Sequence, residues 1–253
     1  MNEKVSLVVP IYNEAMHLQS FLEKLDAVDV GVTKELIFVD DCSRDDSRKI
    51  LDQFAFKSAH KIVHHQVNSG KGAALRTGIE HATGSIIGIQ DADFEYDMAD
   101  IPQLVGPIVT QQCDIVYGSR FKKNASQVHR TFHYLINRFL TILSNAFCGL
   151  YLTDMETCYK FFRAEVIKNI NLSSDRFGFE PEVTAKIARL NVRVREYPIS
   201  YHPRTYIEGK KITWKDGIAA IWHIFYFNVI AEKRNFFKKS MNSKLIPGRY
   251  QWL

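Results

Sequence analysis

Short apolar runs alternate along this chain with segments whose apolar residues recur every three or four positions. Val5-Ser6-Leu7-Val8-Val9-Pro10 opens the series as a strand, and Pro10, which has no amide to donate, marks its end. After the turn Ile11-Tyr12-Asn13-Glu14, residues Met16, Leu18, Phe21, Leu22 and Leu25 fall at helical spacing. Glu35 to Val39 predicts a second strand. Ser43 followed by Asp46 predicts a helix start running on through Ile50, Leu51 and Phe54. A third strand is expected over 61–67. The turn Asn68-Ser69-Gly70-Lys71-Gly72 then leads into a helix over 73–81. Ile86 to Ile89 is apolar and β-branched, as in a strand covered on both faces. Asp100, with Pro102 in the first turn, starts a helix over 101–112, and 114–118 reads as a fifth strand. This alternation is the signature of right-handed βαβ units, so the fold class is α/β, a mainly parallel sheet flanked by helices.

The second half is more apolar. Residues 129–150 form a helix pattern that is apolar nearly all the way round, as in a helix that is buried or partly in lipid. Phe177 to Glu182 begins another helix, where Glu180 and Glu182 read as acids favoured by the helix dipole, and 192–199 is a last strand. Residues 218–230 are too few to span a bilayer and too apolar for an exposed helix. Lys215 precedes them, and Lys233, Arg234, Lys238 and Lys239 follow. That mixture fits an amphipathic interfacial helix on an anionic membrane surface, against the alternative of a helix docked on the chain's own core or on another subunit. A loosely held tail is expected from Phe236. The organisation is thus an α/β domain over 1–214 and a basic, aromatic membrane-interface helix and tail over 215–253.

Composition narrows the class further. With 46% hydrophobic and 24% charged residues, the 253-residue chain is ordinary globular material. The net charge of +5 is uneven, because from Arg204 onward ten Lys/Arg face three Asp/Glu. A basic tail points to an anionic surface. Its interleaved tryptophan and phenylalanine suit an interface better than a phosphate groove, so no nucleic-acid partner is expected. Cys42, Cys113, Cys148 and Cys158 have no paired spacing and read as reduced thiols of a cytosolic protein. The N-terminus lacks the apolar core of a signal peptide. A cytoplasmic, peripherally membrane-associated protein is expected, with room for an oligomer.

Candidate chemistry lies at the ends of the strands. Ile86–Ile89 breaks off at Asp91 and Asp93, with Glu95 after them. In extended chain, positions two apart point the same way, so these acids can offer oxygens to one hard cation and leave sites for diphosphate oxygens and water. Glu14 follows the first strand, and Asp40 and Asp41 end the second. This convergence at carboxyl ends of strands is where open α/β sheets bind ligands. The glycine turn lacks both phosphate-loop and dinucleotide spacing, which disfavours an NTPase and a dehydrogenase. Lys71 reads first as a solvated turn lysine and second as a phosphate contact.

Val8-Val9-Pro10-Ile11-Tyr12-Asn13-Glu14, Val39-Asp40-Asp41-Cys42-Ser43, Asn68-Ser69-Gly70-Lys71-Gly72, Asp91-Ala92-Asp93 and Tyr117-Gly118-Ser119-Arg120 occur in that order. Together they resemble the family 2 inverting glycosyltransferases of the GT-A (Rossmann-like) fold, and within it the dolichyl-phosphate mannose synthases and related polyprenyl-phosphate glycosyltransferases. The likeness covers about 5–214. It implies that Pro10, Tyr12 and Glu14 line the nucleotide pocket and that Val39 and Asp41 hold base and ribose. Asp91, Ala92 and Asp93 would contact the diphosphate, the two acids through Mg²⁺ or Mn²⁺. Glu95 stands where the synthases often have Gln, a departure that still leaves a metal-ligating carboxylate. Arg120 would face the donor or acceptor phosphates. Arg204 and Lys210 match in separation an Arg and a Lys that clamp the donor. Arg130 and Arg138 are candidates for the acceptor phosphate, since a guanidinium grips phosphate bidentately.

Thr153-Asp154-Met155-Glu156-Thr157-Cys158-Tyr159-Lys160 resembles the family's acceptor-side acidic motif, with Asp154 at the aligned position. The expected reaction is inverting transfer of a sugar from a UDP- or GDP-sugar to a polyprenyl phosphate, with Asp93 and Asp154 as catalytic residues. A polyprenyl phosphate is already an oxyanion at neutral pH and needs no base. A carbohydrate or glycolipid hydroxyl would need one, and Asp154 would be the candidate. A silent nucleotide-sugar-binding membrane scaffold is the reading from another class.

Overall fold

The computed structural model describes residues 3–122, 131–203 and 214–245. Seven strands form one sheet in the order β3-β2-β1-β4-β6-β5-β7: β1 Lys4–Ile11, β2 Thr33–Asp40, β3 Ala59–His64, β4 Ile86–Ile89, β5 Ile115–Ser119, β6 Lys160–Arg163 and β7 Val194–Pro198. All neighbouring pairs are parallel except those made by β6, which runs antiparallel to both β4 and β5. The helices are α1 Ala15–Ala27, α2 Ser47–Gln53, α3 Lys71–His81, α4 Ile101–Val109, α5 Thr131–Cys148, α6 Ala164–Ile167, α7 Phe179–Ile187 and α8 Trp214–Phe225.

The apolar pattern explains the layering. Odd positions of β1 (Val5, Leu7, Val9, Ile11) pack with Leu18, Phe21, Leu22 and Leu25 of α1 and with α4 on one face. Val8 packs with Leu75 and Ile79 of α3 and with Phe179 and Val183 of α7 on the other. Period two in the strand and period three-to-four in the helices divide the core into two layers, as a sheet covered on both sides requires.

Several expectations are corrected. The third strand stops at His64; the His65 amide still donates to the Asp40 carbonyl at 2.9 Å, and its ring meets Asp41. Ser43 does not cap α2. Its hydroxyl accepts the Asn13 amide at 3.0 Å, and α2 begins at Ser47. The fourth helix ends at Val109, because Gln111 takes a left-handed φ of 58°. Strand β6 was not expected. It is short and begins on Lys160, whose ammonium is wholly buried and donates to the Met155 carbonyl at 3.0 Å and to that of Thr157. The tail is held down through Leu245. Phe236 is buried, its carbonyl accepts the Asn171 amide at 2.9 Å, and the Leu245 carbonyl accepts the Asn191 amide at 2.6 Å.

The start of α3 is seated on the segment before α7. The Ala73 amide donates to the Asp175 carbonyl at 3.1 Å, and a Cβ on Gly72 would run into the Ser174 carbonyl oxygen. Backbone on both sides leaves no soft neighbour to give way. Gly72→Ala is therefore expected to lower stability by about 2–3 kcal/mol, as overpacking does. Urea unfolding checks this as a lower midpoint at unchanged slope.

Candidate active site

Strand order places the acids side by side. The chain winds β1 to β2 to β3 in one direction and then returns to put β4 on the other side of β1. The crevice between β1 and β4 is thus a topological switch point, where open α/β sheets take their ligands. In register, Val8 pairs with Ile89 and Pro10 with Val39. Tyr12, Asp41 and Asp91 therefore leave adjacent strands at the same carboxyl edge.

The loops after β1 and β2 are knitted together. The Glu14 amide donates to Ser47 Oγ at 2.8 Å, the Ala15 amide to Asp45 Oδ2 at 3.0 Å, and the Arg44 amide to Asn13 Oδ1 at 2.8 Å. Asn13 and Cys42 both take left-handed φ, 51° and 61°. Asn tolerates this and Cys does not, so Cys42 is held there by its neighbours. The Asp41 carboxylate is fully engaged. Its Oδ1 meets His65 Nδ1 at 2.7 Å and the Ser69 amide at 2.9 Å, and its Oδ2 meets Asn68 Nδ2 at 2.9 Å and the Gly70 amide at 2.7 Å. It shapes the turn that delivers Lys71.

Lys71 is not the solvated turn residue expected. Its Nζ lies 3.0 Å from Asp91, 3.3 Å from Glu180 Oε1 and 3.0 Å from Cys158 Sγ. Burial alone would depress the ammonium, but Asp91, Cys158 and Glu180 hold it well above the usual lysine range. Glu180 stands in the first turn of α7, where the helix dipole favours an acid, and is in addition an ion-pair partner. Glu182 has a second structural role, accepting the Ser173 and Ser174 amides at 2.8 Å each and pairing with Lys186.

Asp93 is nearly buried, and its Oδ1 accepts the Glu95 amide at 3.0 Å. Glu95 Oε2 accepts the Tyr201 hydroxyl at 3.3 Å. Tyr96 stacks on Tyr159 with centroids 4.7 Å apart, and Tyr159 donates to Gln90 Oε1 at 2.6 Å, which fixes the segment from both sides. Among the described residues no group of three or more His, Cys, Asp or Glu gathers as a metal cage.

Arg120 and Asp154 form a buried two-pronged pair. Nε reaches Oδ2 and Nη2 reaches Oδ1, each at 2.7 Å, and the Arg120 amide adds a third bond to Oδ2 at 3.0 Å. Glu196 on β7 accepts the Thr153 and Asp154 amides. Arg138 reaches the same corner, donating to the Thr153 carbonyl at 3.1 Å, and both guanidinia sit against Phe121. Arg120 also lies over Tyr201, at 5.3 Å, so this pair and the Asp93–Glu95 segment share a wall. Arg130, Arg204 and Lys210 lie outside the described residues.

Three carboxylates here were not assigned to the site from the sequence: Glu156, Glu196, and Glu180, which was read only as an acid at a helix start. Glu156 Oε1 is enclosed and has no hydrogen-bond partner. Burial first, then Glu180, push its carboxyl up to about 8. Between the ordinary value near 4.5 and about 8, the folded state keeps a proton that the unfolded state has lost, so stability falls as pH rises through that window. Glu156→Gln removes this slope. Its melting point is expected to match the parent's near the acid end and to exceed it by about 2–4 °C above neutrality, read by thermal melts across pH.

The last element bears on the site's surroundings. Helix α8 and the helical turn Tyr226–Ile230 that follows it bury Ala220, Ile224 and Phe227, and turn Ile218, Ile221, Trp222, Phe225, Val229 and Ile230 outward. Leu135, Phe139, Ile142 and Phe147 of α5 are also exposed, and Phe147 meets Phe225 with centroids 6.3 Å apart. The two helices thus carry one apolar face. No helix among the described residues is long and apolar enough to cross a membrane.

A dodecaprenyl-phosphate galacturonate synthase of Rhizobium johnstonii is 31% identical over 79% of this chain and 60% of its own length. An undecaprenyl-phosphate 4-deoxy-4-formamido-L-arabinose transferase of Klebsiella pneumoniae is 28% identical over 82% of this chain and 62% of its own. The chain therefore spans about three fifths of the length of these relatives. A crystal structure of glucosyl-3-phosphoglycerate synthase from Mycobacterium tuberculosis, in complex with Mn²⁺, UDP and phosphoglyceric acid, superposes with a TM-score of 0.69. It covers 91% of this chain and 80% of that one at 18% identity, and so shares the GT-A-like fold. The family model described as glycosyl transferase family 2 matches residues 6–170, which hold the switch-point crevice, Lys71, the Asp91–Asp93 segment and the Arg120–Asp154 pair; this chain belongs to glycosyl transferase family 2.

Proposed function

We propose that the protein transfers a sugar, with inversion, from a nucleotide diphosphate sugar to a polyprenyl phosphate at a membrane surface. The observation that carries this reading is the pairing of two features: acids at the switch-point crevice, and an apolar two-helix face on the same body. Relatives named for polyprenyl-phosphate substrates support it.

In this reading Pro10, Tyr12, Glu14 and Val39 line the nucleotide pocket, and Asp41 holds its floor by fixing the 68–70 turn. Carboxylate oxygens are the donor set of a hard cation, and Asp91 already accepts a cation in the form of the Lys71 ammonium. Asp91 and Asp93 would hold Mg²⁺ or Mn²⁺, leaving the remaining positions to diphosphate oxygens and water. When bound, the ion supplies Lewis-acid stabilisation of the leaving diphosphate. Arg204 and Lys210 would add positive charge to the same leaving group. Arg120, Arg130 and Arg138 would receive the acceptor phosphate, which is an anion at neutral pH and needs orientation and removal of water, not deprotonation. The engaged oxygens of Asp154 favour positioning of Arg120 over the base that a hydroxyl acceptor would require.

A panel of UDP- and GDP-sugars with Mn²⁺ or Mg²⁺ tests the reading, scored as nucleotide release with and without a short polyprenyl phosphate. Release that depends on the polyprenyl phosphate is expected; release that depends only on a sugar or glycolipid hydroxyl would replace this acceptor.

The apolar face makes a separate prediction. Trp222 and Ile221 are exposed and lie on the outer side of α8. Lys233, Lys238 and Lys239 are exposed beyond it. A double substitution Ile221→Glu, Trp222→Glu is expected to lower partitioning onto phosphatidylcholine/phosphatidylglycerol vesicles by about tenfold or more, since apolar burial and charge attraction both weaken. Co-sedimentation measures this, and unchanged thermal melts confirm that the fold is intact.

A further inference from the structure

The Lys71 ammonium is shared by carboxylates from two separate elements. Asp91 follows β4, Glu180 lies in the first turn of α7, and both are within 3.3 Å of the same Nζ. The site is largely enclosed, with Lys71 at 15% side-chain exposure, Asp91 at 17% and Glu180 at 6%. Two carboxylates meeting at one enclosed ammonium put oxygen ligands of the kind a hard cation takes at the same point. A divalent ion on Asp91 would face the Lys71 charge at close range. Like charges at that range repel strongly unless one of them moves. Glu180 is the place to which Lys71 can move without losing its charge partner, because it is already in reach.

The geometry points to Lys71 as a built-in counter-ion of Asp91, which holds that carboxylate in place and passes to Glu180 when a divalent cation takes it. This rests on the reading of Asp91 as a cation ligand given above. It assigns Lys71 and Glu180 as positioning residues for cation entry. It also explains why a buried acid stands in α7, far from the strand ends in sequence. Lys71 and the divalent ion compete for one carboxylate, and Glu180 sets the balance between them.

The test is Mn²⁺ binding to the full chain, read as free Mn²⁺ by electron paramagnetic resonance and so independent of turnover. Lys71→Met is expected to tighten Mn²⁺ about tenfold by removing the competitor, and Glu180→Gln to weaken it about fivefold by confining Lys71 to Asp91. A general change in local charge would give the same signs, so the double variant decides. Counter-ion exchange predicts that Glu180→Gln changes affinity less than about twofold once Lys71 is Met, because no ammonium remains to be redirected. Effects that multiply in the double variant, or weaker binding in Lys71→Met, overturn the exchange. Asp91→Asn is the control. If it binds Mn²⁺ as the parent does, the cation site itself is refuted and the exchange with it. If it loses Mn²⁺ while the other effects multiply, the site stands and the exchange alone is refuted.

Discussion

Asp91→Asn is expected to lower sugar transfer by about a hundredfold to a thousandfold, the range for removing one preorganised group that stabilises charge in the transition state. The substitution is nearly isosteric, so the loss is one of charge. It strikes twice. The diphosphate leaves with less stabilisation, and Lys71 loses the nearer of its two carboxylates. Initial rates at saturating donor should carry most of the loss, with donor affinity measured by calorimetry falling less, because the residues proposed to line the nucleotide pocket, on and after β1 and β2, are untouched. Turnover within twofold of the parent would remove Asp91 from the chemistry. Asp93→Asn provides the comparison. Asp93 Oδ1 also accepts the Glu95 amide, so part of its effect would appear as a lower melting point.

The parts of this molecule that were legible in the sequence are those whose cause is local. Strands β1, β2 and β4 announce themselves by apolar, β-branched runs; β2 and β4 give way to acids, whereas β1 does not end at Pro10 as expected but stays paired through Ile11. Once they are known to be parallel, the acids must lie at one edge. That is why Asp41, Asp91 and Asp93 could be named before any coordinates. The illegible parts are those whose cause is distant. Lys71 and Glu180 are over a hundred positions apart, and nothing around Lys71 distinguishes it from a solvated turn lysine. Strand β6 is short and begins on a lysine whose burial makes sense only with the Met155 and Thr157 carbonyls around it. Glu196 reads as an unremarkable strand residue until Thr153 is seen to lie beside it. The apolar excess of 218–230 was visible, but its division into an inner and an outer face depends on where the second core layer ends.

Arg120→Ala and Asp154→Ala are each expected to destabilise the fold by about 3–5 kcal/mol, the cost of leaving one member of a buried ion pair without its partner. The geometry supports the upper part of that range. Asp154 is fully buried, and both of its oxygens are used by Arg120, one of them twice. With Arg120 gone, the Asp154 carboxylate stays buried and loses the guanidinium that offsets its charge. Chemical denaturation should show both losses, and the double variant Arg120→Ala, Asp154→Ala should be less destabilised than their sum, because it buries no unpaired charge. Asp154→Asn separates structure from chemistry. If Asp154 positions Arg120, the variant loses turnover through weaker acceptor binding, and the remaining rate keeps the pH profile of the parent. If Asp154 were a general base, the variant would lose the acidic limb of that profile while acceptor affinity stayed as it was. The first outcome is expected, because a carboxylate that already accepts three hydrogen bonds from one arginine has little capacity left to take a proton from an acceptor.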